Sequence, residues 1–213
     1  MTASRRERLR SSRLYVVTDA RSDAGDLEPF LDAILSAGCD VIQLREKDAE
    51  AGDVLRWAEV FRRAADRHRA LFVINDRPDL AVAAGADGVH VGQNDLPAAW
   101  ARRIVGDDLL IGLSTHTAEQ FDAAAPEADY LCAGPVHETP TKPGRPATGL
   151  ELVRHAAARA QPRPWFAIGG IDTGNVDAVV AAGAKRIAVV RAVTRAGDAA
   201  RAVSELLAGL DGR

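Results

Sequence analysis

One beat repeats eight times along the chain. Short apolar runs, many of them β-branched, alternate with Ala-rich amphipathic stretches. The runs are Leu14-Tyr15-Val16-Val17, Val41-Ile42-Gln43-Leu44, Leu71-Phe72-Val73-Ile74, Gly88-Val89-His90-Val91, Leu109-Leu110-Ile111-Gly112, Tyr130-Leu131-Cys132-Ala133, Trp165-Phe166-Ala167-Ile168 and Ile187-Ala188-Val189-Val190. Near-continuous apolar runs of this length suit strands buried on both faces, as in a parallel sheet covered by helices. Between the runs, residues 53–68 place Val54, Trp57, Ala58, Phe61, Ala64 and Ala65 at helical spacing. Thr117 with Gln120 predicts a capping box, and a helix over 173–182 is expected to end at Gly183. The segments at Gly38, Gly85 and Gly183 repeat one device: helix end, glycine turn, next strand. Eight strand–helix units within 213 residues fit a single-domain (β/α)8 TIM barrel of the α/β class. The expected division is an extension over residues 1–12 and the barrel over 13–213. A doubly wound open sheet is the alternative, but no GxGxxG follows the first strand and no Walker pattern occurs.

Charge narrows the partners. With 27 Lys+Arg against 30 Asp+Glu, the net charge of -3 excludes a bulk basic surface for nucleic acid. No apolar run approaches the length needed to span a membrane. Cys39 and Cys132 belong to no metal-type spacing and read as free buried thiols of a cytoplasmic protein. Arg5, Arg6, Arg8, Arg10 and Arg13 crowd the N-terminus, with no apolar stretch behind them as a secretion signal requires. That segment is expected to be a solvated extension or a short helix.

The chemistry-bearing residues gather where the strands end. Gln43, Arg45 and Lys47 are two apart, so an extended chain turns all three the same way. Arg and Lys there suit a phosphate; local pairing with Glu46 and Asp48 is the plainer reading. Asp76 and Asp95 follow adjacent strands, whose spacing of about 4.8 Å lets one hard cation bridge both carboxylates. Each could instead cap the helix that begins at the proline two residues on. The pair beside a basic strand favours Mg2+. Ser114 ends the fifth strand without an acid–base partner at triad spacing, so it suits anion binding better than nucleophilic attack. His116 reads as a surface residue at a helix start, and His90 as a satisfied interior histidine.

The connection over residues 135–148 holds four of the ten prolines. It is long for a βα loop, and such loops are often functional lids. It supplies Thr139, Thr141 and Lys142. Gly169-Gly170 after the seventh strand and Val190-Arg191 after the eighth lie where barrels often bind phosphate through main-chain amides. The residues alone therefore point to two phosphorylated ligands meeting in one barrel.

Six segments in this order resemble the thiamine-phosphate synthase family from Arg13 to about Leu207. They are Gln43-Leu44-Arg45-Glu46-Lys47, Asn75-Asp76, Gly92-Gln93-Asn94-Asp95, Ser114-Thr115-His116-Thr117, Gly134-Pro135-Val136 with Thr139-Pro140-Thr141-Lys142, and Ile168-Gly169-Gly170-Ile171. The resemblance implies a transferase that joins a pyrimidine diphosphate to a thiazole phosphate, giving thiamine phosphate and diphosphate. It implies that Gln43, Leu44, Arg45, Glu46, Lys47, Asn75, Ser114 and Lys142 bind the pyrimidine diphosphate. Asp76 and Asp95 would hold Mg2+. Thr139, Pro140, Thr141, Gly170, Val190 and Arg191 would hold the thiazole phosphate. Ser114, Lys142, Arg45 and Lys47 would serve catalysis. The chain departs from the family at Arg191, where Ser is usual, and at His137, where an aromatic is common. The implied partners are small-molecule substrates, neither nucleic acid nor membrane, and a homodimer is left open. A thiazole tautomerase on the same barrel would need no diphosphate site, and a non-catalytic sensor would be expected to lose the two carboxylates.

Overall fold

A computed structural model describes residues 3–139, 146–159 and 163–212. Eight parallel strands close into a barrel in sequence order. They are β1 (Leu14–Thr18), β2 (Val41–Leu44), β3 (Leu71–Asn75), β4 (Gly88–Val91), β5 (Leu110–Thr115), β6 (Tyr130–Ala133), β7 (Trp165–Ile168) and β8 (Ile187–Val189). The helices are α1 (Arg5–Ser11), α2 (Leu27–Ser36), α3 (Ala51–His68), α4 (Pro78–Ala83), α5 (Ala98–Val105), α6 (Ala118–Asp122), α7 (Gly149–Ala158), α8 (Val176–Ala181), α9 (Arg191–Thr194) and α10 (Ala199–Leu210). The barrel is the expected one, and the open-sheet alternative falls because β8 pairs with β1.

Strand alternation makes two cores. Ile42, Leu44, Phe72, Ile74, Val89 and Ile111 face outward under the helices. Tyr15, Val41, Leu71, Val73, Leu110, Tyr130, Cys132 and Phe166 fill the barrel. Within it, Phe166 meets Tyr15 and Tyr130 edge-on at 5.5 and 5.9 Å between ring centroids. Such edge-to-face contacts add to area burial.

The glycine device recurs as expected. Gly38, Gly85 and Gly183 adopt positive φ of 106°, 60° and 107°. After each, the next N–H returns to a carbonyl five residues back: Cys39 to Ile34, Ala86 to Ala81, and Ala184 to Val179. This bonding closes a helix through a left-handed residue, which glycine adopts without strain. The helix expected from residue 173 begins at Val176 instead. Asp172 N–H donates to Asn175 Oδ1 and Gly174 N–H to Asp172 Oδ1, so local side-chain bonds hold a turn against helix there. Thr117 caps α6 by accepting from Gln120 N–H, while Gln120 Oε1 accepts from His116 N–H rather than completing the expected box.

The bottom of the barrel is closed by carboxylates and arginines. Asp40, Asp87 and Asp129 precede β2, β4 and β6. Each accepts from a backbone N–H at the start of the preceding strand: Leu14, Phe72 and Ile111. Residues 5–11 form the short helix that was one of the two expectations, and α1 packs across this end rather than standing off as a solvated extension. Leu9 is buried against the interior core. Arg5 pairs with Asp87 at 3.0 Å and Arg6 with Asp129 at 2.8 Å. Both cysteines are buried and neither forms a disulfide, and burial pushes the Cys39 thiol up to about 12. No helix among the described residues is long and apolar enough to cross a membrane.

Candidate active site

The opposite, C-terminal end of the barrel is where the polar side chains meet. On the interior face, β2, β3, β4 and β5 end in Gln43, Asn75, His90 and Ser114, whereas Ile168 and Val190 cap the interior core beside β7 and β8. The mouth is therefore polar on one side and apolar with glycine backbone on the other.

The strand hydrogen bonding of β2 runs one residue past its end, through Arg45 N–H to Thr18 O. The chain then bends, and Lys47 swings to the neighbouring strand. Its Nζ lies 3.2 Å from Asp76 Oδ2. Gln43 is 3% exposed, and its Nε2 is buried without a partner among the described residues. A buried unpaired amide donor is costly, so this group is set to receive a ligand acceptor. Two neighbours in the same segment face elsewhere: Leu44 packs in the outer core, and Glu46 Oε1 accepts from Ala20 N–H at 2.7 Å. Their side chains hold the strand and its loop.

Asp76 stands directly after β3 at φ 60°, a left-handed conformation that short polar side chains tolerate best. Asp95 folds back over the turn after β4, where its Oδ2 accepts from Gly92 N–H at 2.8 Å. A Cβ at Gly92 would lie 2.7 Å from that oxygen, so only glycine admits the fold-back. Neither carboxylate caps a helix: the N-cap residues of α4 and α5 are Arg77 and Pro97. The Asp76 carboxyl titrates above its usual range, first because it is buried and next because it hydrogen-bonds and repels Asp95, with Lys47 acting in the opposite sense. A half-buried carboxyl raised by burial and by a second carboxylate beside it is what a hard divalent cation relieves. The donor set fits Mg2+ with further oxygens from a phosphorylated ligand. Among the described residues, no cluster of three or more His, Cys, Asp or Glu side chains offers a complete protein cage.

Across the mouth lies a cavity of about 440 Å3. Ser114, Pro135, Thr139, Gly170, Val190 and Arg191 are on its wall. Gly169 and Gly170 have φ of 107° and 62°, and a Cβ on Gly170 would lie 2.7 Å from His137 Cβ. The start of the long loop runs alongside β7, with Val136 N–H bonded to Ile168 O and His137 N–H to Gly169 O, both 2.9 Å. Its far end returns through Thr148 N–H to Pro135 O. Pro140, Thr141 and Lys142 lie outside the described residues.

A family profile described as Thiamine monophosphate synthase matches residues 14–193. A thiamine-phosphate synthase of Acidothermus cellulolyticus is 56% identical, over 95% of this chain and 96% of its own. One of Thermobifida fusca is 55% identical, over 97% and 95%. The chain belongs to the thiamine-phosphate synthase family. A solved thiamine phosphate pyrophosphorylase from Pyrococcus furiosus superposes with a TM-score of 0.85 at 34% identity, covering 97% of this chain and 98% of that one. Membership makes the chain a transferase of thiamine biosynthesis.

For a thiamine-phosphate synthase family member, four wall residues escaped the sequence reading. Arg195 lines the same cavity one helical turn after Arg191, a spacing that could have flagged it. Glu138 and Asp172 are acids on that wall with no sequence signal to mark them. His116, expected on the surface, is half-buried there, its Nδ1 2.6 Å from Gly134 O. His90 is interior as expected, yet it contacts a candidate site residue: its Nε2 lies 2.9 Å from Ser114 Oγ.

Proposed function

We propose that the two halves of the mouth hold the two substrates of thiamine phosphate formation. The observation that carries this reading is the split itself. A repelling carboxylate pair with Lys47 stands on one side, and a glycine-walled cavity with Arg191 stands on the other, with Ser114 on the cavity wall.

In this reading Asp76 and Asp95 hold Mg2+. The ion, when bound, supplies positive charge for the diphosphate as it departs. Arg45 and Lys47 bind that diphosphate, and Ser114 and Lys142 complete the set that neutralises it. Gln43, whose buried Nε2 has no partner among the described residues, and Asn75 orient the pyrimidine. Leu44 and Glu46 contribute through the backbone and loop they fix.

The C–O bond to diphosphate breaks, and its electron pair leaves with the oxygen. The electron-rich aminopyrimidine delocalises the positive charge left on its CH2 group. The thiazole nitrogen then donates its lone pair to that carbon. No protein nucleophile is required. Gly170, Val190 and Arg191, with Thr139, Pro140 and Thr141, hold the thiazole phosphate, so the attacking nitrogen is kept in line. The loop over residues 135–148 is our candidate for excluding water, which would otherwise capture the cation. A cytoplasmic site for this reaction is supported by two buried cysteines that form no disulfide.

The test is a Mg2+ titration with both substrates present, following thiamine phosphate in wild type and in Asp95→Asn. The reading expects product formation to require the ion and to fall about a hundredfold in the variant. Metal-independent turnover, or a variant with wild-type rates, would remove the metal from the scheme.

A further inference from the structure

Beneath Ser114 lies a line of three polar side chains that the mechanism above does not use. Tyr15 Oη is 3.1 Å from Tyr130 Oη. Tyr130 Oη is 3.2 Å from His90 Nδ1. His90 Nε2 is 2.9 Å from Ser114 Oγ. Tyr15 and Tyr130 are 1% and 0% exposed, and His90 and Ser114 are 8% and 5% exposed. The four residues come from β1, β6, β4 and β5, so only the closed barrel brings them together. The line has a dedicated space. A Cβ on Gly112 would collide with the Tyr130 ring and with His90 Nδ1, so the β5 glycine leaves room for both.

The chemistry has a direction. Both phenols keep their protons, because burial raises them well above the usual tyrosine range. Each hydroxyl then has one hydrogen to give. A neutral imidazole donates from one nitrogen and accepts at the other. The line can therefore run towards the barrel floor or towards the mouth. Running to the mouth, Tyr15 donates to Tyr130, Tyr130 to Nδ1, and Nε2–H to Ser114 Oγ. The Ser114 hydrogen is then not engaged by the line and is available to an acceptor at the mouth, where Ser114 borders the cavity. In that arrangement every link is head to tail, and successive bonds polarise one another.

We propose that His90, held by Tyr130 and Tyr15, is a positioning residue that fixes the Ser114 hydroxyl as a hydrogen-bond donor to the departing diphosphate. This rests on the reading that Ser114 faces that group. An anionic oxygen at the mouth selects the mouth-directed arrangement, because it can only accept. A donor already oriented and polarised before charge develops needs no reorganisation in the transition state. The cost of rotating a free hydroxyl is removed by buried groups that touch neither substrate.

Tyr130→Phe removes one hydroxyl and keeps the ring that packs against Phe166. The expected result is a fall of about threefold to tenfold in the single-turnover rate constant, with both KM values within about twofold. Tyr15→Phe, one link further away, lowers the same constant by a smaller factor and serves if the first variant folds poorly. The deciding comparison is a double-mutant cycle with Ser114→Ala. The proposal expects Tyr130→Phe to have no further effect once the hydroxyl it positions is gone. An undiminished effect in the Ser114→Ala background overturns the relay alone. Wild-type rates in Ser114→Ala itself overturn the diphosphate reading and the relay with it.

Discussion

Asp76→Asn separates what this carboxylate does for the fold from what it does for the reaction. Asn keeps the shape and, like Asp, tolerates the left-handed φ of 60°. It removes a charge that burial and Asp95 both oppose, and with it the Lys47 bridge at 3.2 Å. Asp76 is 23% exposed and Lys47 46% exposed, so the lost bridge is a partly solvated one, worth about 1 kcal/mol or less. Relief of the repulsion works the other way. The metal-free protein should therefore melt within about 3 °C of wild type, since 1 kcal/mol moves Tm by about 2–4 °C in a chain of this size. Turnover should fall about a hundredfold or more, a loss of about 2.7 kcal/mol of transition-state stabilisation. Asp76→Ala is the contrast. It leaves a side chain without polar atoms in the left-handed region, at a cost of about 1–2 kcal/mol, and should melt lower than Asp76→Asn. Thermal melts and steady-state rates on the same preparations check both statements. A metal-free Asp76→Asn protein melting about 8 °C below wild type, or turning over at the wild-type rate with saturating Mg2+, would refute the reasoning.

Mg2+ should raise Tm more at about pH 8 than at about pH 5. The raised Asp76 carboxyl favours the fold while protonated, that contribution is lost as pH rises through its folded value, and the ion relieves the repulsion that then appears. Equal shifts across a pH series of melts would contradict this. Asp87→Ala should cost about 3–5 kcal/mol, because a carboxylate 4% exposed holds Arg5, Arg62 and the Phe72 N–H. Its melt should fall by about 10 °C while kcat at room temperature stays close to wild type, since it lies at the far end of the barrel. Arg191→Ser should keep kcat within about threefold and raise KM for the thiazole phosphate only modestly, as expected of an exposed charge contact. Loss of activity on steady-state assay would mean that the phosphate is held by this side chain.

The strands were legible because parallel barrel strands are apolar on both faces, and runs such as Leu71–Ile74 carry that directly. Asp76 and Asp95 were legible as a pair because adjacent parallel strands end side by side. Their rival role as helix caps failed for a local reason: the Pro-first helix α4 takes Arg77 as its N-cap, and α5 takes Pro97. Residues that depend on closure were not legible. His90 meets Ser114 only through the β4–β5 register, where His90 pairs with Gly112 two residues before the serine. Arginine content alone left residues 5–11 open between a solvated extension and a short helix. Their partners, Asp87 and Asp129, lie far along the chain, and no short-range pattern reports them. The Leu44 and Glu46 side chains were named through a motif, whereas strand alternation already turns Leu44 away from the mouth.

The most direct measurement follows diphosphate and thiamine phosphate in one time course, with the thiazole phosphate present and then omitted. The account predicts that the two products appear one for one with both substrates and Mg2+, and that diphosphate release becomes slow without the thiazole. Diphosphate released at the full rate with no thiamine phosphate formed, with the thiazole present, would contradict the claim that one mouth brings the two substrates together.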